Sequence, residues 1–111
     1  VKSAGKNSSL KLFIIQGIDR KLSIEDIAQS KSMDLSELIL EMETIVFSGT
    51  KLDISYCIDD YLDEDQQGEL YDYFIESESD NIELALEEFD GEYDQFELKL
   101  FRIKFLSDLA N

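Results

Sequence analysis

Residues 23–48 read SIEDIAQSKSMDLSELILEMETIVFS, and this stretch decides the fold. Ser23 and Asp26 stand three apart just before an apolar run, the spacing of a capping box with Asp in place of the usual Glu. They predict a short helix with Ile24, Ile27 and Ala28 on its inner side. The Ser30–Met33 segment breaks that helix. Asp34 and Glu37 form a second, better capping box, and Leu35, Leu38, Ile39, Met42, Ile45 and Val46 recur at helical spacing behind it. Gly49 stands where a helix end favours a residue that tolerates positive φ. Helix 23–30, turn 31–33 and helix 34–48 make the helix-turn-helix plan. Ala28 is small where two helices must approach, and Ile27, Met33 and Leu38 occupy its apolar positions. Ser32 replaces the common turn glycine.

Working outward, Leu10, Phe13, Ile14, Gly17 and Ile18 follow the i, i+3, i+4, i+7, i+8 pattern of a preceding helix. The Lys-Ser-Ala-Gly-Lys-Asn-Ser-Ser stretch from Lys2 to Ser9 reads as a flexible linker over 1–9. On the other side, Asp53 is placed to cap a helix carrying Ile54, Cys57, Ile58, Tyr61 and Leu62. Asp63 or Asp65 caps the next, with Leu70, Tyr73 and Phe74 inward. Asn81 precedes Ile82, Ala85, Leu86 and Phe89. Phe96–Leu109 alternates like a strand, yet Leu98, Phe101, Phe105 and Leu109 also fit helical spacings. Being apolar nearly all round, it is read as a central helix, which leaves room for a small strand element near the C-terminus. The expected architecture is an all-α bundle over 10–111, with a helix-turn-helix portion 10–49 and an acidic helical half 50–111. Leu38, Met42, Ile45, Phe101 and Phe105 are expected in one core.

The chain has 111 residues, 26 acidic against 10 basic, and a formal charge of −16. The imbalance is uneven: residues 1–32 sum to +3 and residues 33–111 to −19. There is no His and one Cys, so no Cys/His zinc site and no His-based nucleophile system can be assembled from these residues. Cys57 cannot form an internal disulfide. No apolar run approaches the roughly 18 residues that span a bilayer. A cytoplasmic, membrane-independent protein is expected.

Asp63–Gly68 imitates the start of a calcium loop, but its twelfth position is Phe74 where a bidentate Glu is required. The carboxylate pairs Asp59-Asp60 and Glu87-Glu88 lie in polar runs without a basic or nucleophilic companion, which reads as solvated surface. No phosphate-binding glycine loop is present. No catalytic, cofactor or metal residue is therefore assigned. The second helix of the motif presents Ser36, Glu37, Glu41, Glu43 and Thr44 outward, and three glutamates facing a phosphate array would be repelled. A scaffold or a protein-docking surface is the expectation. Lys2, Lys6, Lys11, Arg20, Lys21 and Lys31 are candidates for nonspecific phosphate contact, or serve linker solubility.

The runs from Ile18 to Ala28, Met33 to Leu38 and Glu41 to Thr50 resemble the C-terminal helix-turn-helix domain of some bacterial RecQ-type DNA helicases. Lys51–Tyr56 and the Tyr93–Phe105 tail look like the same domain. The resemblance implies a non-catalytic accessory domain preceded on the same chain by motor lobes, a zinc module and a winged helix. ATP, magnesium and zinc would belong to those parts of the parent helicase. Its implied roles are DNA-substrate engagement or partner docking in repair and recombination, with DNA contact weak and nonspecific. The alternative is an acidic, DNA-mimic-like protein-interaction module that binds no nucleic acid.

Overall fold

Carboxylates and amides start most of the helices. In the computed structural model, which describes the backbone of residues 2–110 and the side chains of residues 9–110, the Ser23 Oγ accepts the Asp26 N–H at 3.0 Å and opens α2, Ile24–Ser30. The Asp34/Glu37 box is complete in both directions and opens α3, Leu35–Phe47. Asp63 rather than Asp65 caps α4, Glu64–Glu76, because Gln66 then falls at the third helical position and returns the bond. Asn81 caps α5, Ile82–Glu88. A third complete box, Asp94/Glu97, opens α6, Gln95–Leu109. It fixes as helix the segment whose alternation resembled a strand, and among the described residues there is no strand.

The first helix, α1, runs Lys2–Asp19, so the backbone is already helical through the stretch read as a linker. That stretch lacks proline, and Ala4 and Leu10 are good helix formers. The predicted helix over 54–62 is a correction. Asp53 spends its carboxylate on Ser55, two residues away (N–H at 3.1 Å, Oγ at 2.5 Å), instead of capping a helix. The chain then makes a tight turn and a single 3-10 turn at Ile58–Asp60, still burying Leu52, Ile54, Cys57, Ile58 and Leu62.

Four helix ends, those of α1, α2, α3 and α5, follow one recipe. At Gly49 (φ 102°) the Thr50 N–H reaches the Ile45 carbonyl and the Gly49 N–H reaches Val46, a Schellman closure. The turn of the motif closes the same way, Met33 to Ala28 and Ser32 to Gln29, with Ser32 at φ 55° where glycine is usual. Lys21 (φ 62°) and Asp90 (φ 49°) fill the same position after α1 and α5. The close approach in the motif is made by Gly17, not Ala28 alone: a Cβ on Gly17 would stand 3.0 Å from the Ile27 side chain.

The core is a single cluster that draws on every helix from α1 to α6 and includes Leu38, Met42, Ile45, Phe101 and Phe105. Helix α6 buries Leu98, Leu100, Phe101, Ile103, Phe105 and Ser107, and α3, α4 and α5 all pack on it. Ser107 accepts the Leu52 N–H at 3.0 Å in the interior, fastening the segment after α3 to α6.

Two stability outcomes follow from these positions. Ser32→Gly removes a non-glycine residue from the left-handed region and should raise unfolding free energy by roughly 0.5–1 kcal/mol in a urea melt. Met42→Asp places a carboxylate where the side chain is wholly buried, and loss of the cooperative thermal transition is expected.

Candidate docking and nucleic-acid surface

Helix α3 has two unlike faces. Leu38, Ile39, Met42, Ile45 and Val46 are buried, whereas Glu37, Leu40, Glu41, Thr44 and Phe47 form a row at spacings of three and four on the outer side. Leu40 and Phe47 are 52% and 57% exposed. Glu37 is held by its capping bond to the Asp34 N–H, and the Thr44 hydroxyl donates to the Leu40 carbonyl at 3.0 Å. Between this row, the motif's turn and α1 lies an open groove of about 630 Å³, lined by Leu10, Lys31, Met33, Glu37, Leu40 and Glu41 among others. Lys31 stands at its edge with its ammonium 4.7 Å from the centre of the Phe13 ring.

Glu43 is not on that outer face, contrary to the sequence reading. It is only 6% exposed, and its carboxylate receives a hydrogen bond from Arg102 of α6. The other terminal nitrogen of Arg102 donates to the Asp80 carbonyl at 2.9 Å, and the guanidinium lies 5.1 Å from the Phe47 ring centre. Arg102 thus joins α3, the segment before α5, and α6. Sequence reading missed it because Arg102 and Glu43 are 59 residues apart. The available signal was an arginine flanked directly by Phe101 and Ile103 in the middle of α6. Two glutamates, Glu37 and Glu41, remain on the outer row.

The candidate phosphate-contact residues fall in different places. The side chains of Lys2 and Lys6 lie outside the described residues. Lys11, Arg20, Lys21 and Lys31 are all exposed. Lys31 sits over Phe13 beside the groove, while Lys21, beyond the other end of α1, lies 5.6 Å from the Tyr56 ring centre. Lys11 precedes Phe13 by two residues and so projects about 200° away from it around α1. Arg20 follows the last residue of α1.

The calcium-like segment is helical rather than a loop, with Asp63 spent on the cap of α4. Among the described residues no group of three or more His, Cys, Asp or Glu is arranged to hold a metal ion. A second groove, about 480 Å³ between α4 and α5, is lined by Glu69, Asp72, Glu76 and Glu88 around Tyr73 and Phe89.

Tyrosines clip the motif to the acidic half. Tyr56 donates to the Leu22 carbonyl and Tyr61 to the Glu25 carboxylate, while Tyr93 donates to Glu69 at 2.5 Å. Burial, together with the neighbouring carboxylates, raises all three phenols above the ordinary 10.0. Burial likewise pushes the Cys57 thiol from 9.0 up to about 11.

Three helices joined by a tight turn and packed on one another define residues 8–58 as a helix-turn-helix domain. Residues 8–58 match the family model described as the RecQ-1-like helix-turn-helix domain, so this segment is similar to that family. The match begins inside α1, covers α2 and α3 and ends at the start of the 3-10 turn; α4 to α6 lie beyond it. A comparison with curated proteins finds no match. No helix among the described residues is long and apolar enough to cross a membrane.

Arg102→Ala would leave Glu43 buried without its cation, and a loss of about 3–5 kcal/mol is expected in denaturant melts. Replacing both partners by leucine or methionine should recover most of that loss. The raised pKa values set a second outcome. The folded state keeps protons that the unfolded chain releases, so stability is intact below about pH 9 and falls as pH climbs through 11. Melting temperatures recorded from pH 8 to 11.5 check this sign.

Proposed function

We propose that the chain is a non-catalytic accessory domain of a RecQ-like ATP-dependent DNA helicase, serving repair or recombination in the cytoplasm. Its helix-turn-helix face meets protein, and its contact with DNA is weak and indifferent to sequence. The observation that carries this reading is the outer row of α3. A helix that reads bases presents Arg, Lys, Asn or Gln to the groove. Helix α3 contains none of these and offers Glu37, Leu40, Glu41 and Phe47 in its outer row instead. ATP, magnesium and zinc would act in other domains of the parent chain, and those domains are its first partners.

DNA contact would fall to Lys2, Lys6, Lys11, Arg20, Lys21 and Lys31. A net charge of −16 opposes it at long range, yet screening over about 8 Å at physiological salt lets local bases act. The acidic groove between α4 and α5 favours a second reading, in which the C-terminal half competes with nucleic acid for basic protein surfaces.

Fluorescence anisotropy with labelled single-stranded and duplex DNA tests the first reading. Binding should be visible at about 20 mM salt, lost near 150 mM, and equal across sequences. Alanine at Lys11, Arg20, Lys21 and Lys31 together should weaken the low-salt binding. Tight binding at physiological salt, or preference for one duplex sequence, overturns the proposal. Complete absence of low-salt binding selects the acidic-module alternative.

A further inference from the structure

We infer that the groove between α1 and α3 is the seat of a basic amphipathic helix of about three turns from a partner protein. This rests on the reading of the α3 face as a protein contact and names the kind of partner. The walls are two packed helices with the motif's turn closing one end, a trough into which a third helix can lay an apolar stripe. Leu10 and Met33 are half-buried there and Leu40 is half exposed, so an entering stripe meets apolar side chains. On α3 the groove is lined from Glu37 to Glu41. The outer row runs on to Phe47, ten residues or about 15 Å from its start, so an occupant of about three turns would cover both.

Charge specifies the rest. Glu37 and Glu41 stand one turn apart on the α3 wall, and Lys31 stands at the turn. A helix carrying two bases one turn apart on its α3-facing flank and an acid near Lys31 would pair with all three. A second copy of this chain is disfavoured, because two surfaces at −16 repel each other, whereas the same field draws a basic segment in.

The test uses the 111-residue chain and a fluorescein-labelled 18-residue peptide, with leucine at every third or fourth position, lysines on one flank and a glutamate on the other. A peptide of the same composition with scrambled order is the control. In anisotropy at about 0.15 M salt, saturable binding below roughly 0.1 mM is expected for the amphipathic peptide alone. Leu40→Asp should weaken it by about tenfold or more, with an unchanged melting temperature because Leu40 lies on the surface. Glu41→Lys should weaken it similarly and gain affinity for a peptide whose lysine flank is replaced by glutamates. No binding, equal binding of the scrambled peptide, or indifference to Leu40→Asp overturns the inference. Those results leave the DNA titrations of the preceding subsection untouched. Tight DNA binding there would refute the accessory reading without altering the peptide result.

Discussion

The burial of α6 is the constraint on which the rest depends. Its Leu98, Leu100, Phe101, Ile103 and Phe105 point in several directions, and each needs apolar cover. Helix α3 covers one side, α4 and α5 cover others, and the Ser107 hydroxyl reaches the backbone at Leu52. At about 25 cal/mol per Å² of apolar surface removed from water, this shared burial is the main term joining the motif to the acidic half. It has a consequence for α3, which must give Leu38, Met42 and Ile45 to the interior. Whatever α3 does outside has to be done with the remaining row.

The acidic composition serves the fold at named positions. Asp34, Glu37, Asp63, Asp94 and Glu97 accept backbone N–H groups that a helix start leaves without partners. Negative charge there also lies at the positive end of the helix dipole. Glu25 and Glu69 receive phenolic hydrogens, and Glu43 receives Arg102. The excess of carboxylates is therefore partly structural and partly the solvated or groove-lining charge of α4 and α5.

What could be read from the sequence was what local chemistry decides. The cap at Ser23, the capping box at Asp34, the glycine stop at Gly49 and the inner faces of α2 and α3 all act over three or four residues, and the cap of α4 was narrowed to Asp63 or Asp65. Their spacing is visible in one line of text. Some failures arise where a distant partner decides, whereas the Asp94/Glu97 box that opens α6 is local and could have been read. Glu43 looked solvent-facing because nothing near it reveals Arg102. Asp53 looked like a helix cap, but its carboxylate accepts from Ser55 two residues on and the chain turns instead. Phe96–Leu109 was ambiguous because cover on several sides removes the one-sided periodicity that marks a surface helix. The groove could not be read at all, since Leu10, Met33 and Leu40 meet only when three elements pack.

Arg102 links these two levels. Its guanidinium lies against Phe47 and binds Glu43, so the C-terminal turns of α3 are held from outside the helix-turn-helix segment. Together with the buried Leu38, Met42 and Ile45, that hold opposes rotation of α3 about its axis. Rotation matters because one residue corresponds to about 100°, enough to carry Leu40 out of the groove and bring a core residue into it. The family match ends at residue 58, yet its outer helix is also anchored by a residue at 102. The acidic half thus acts as more than a tail. By clamping α3 through a buried ion pair, it helps to fix which side chains the motif turns outward.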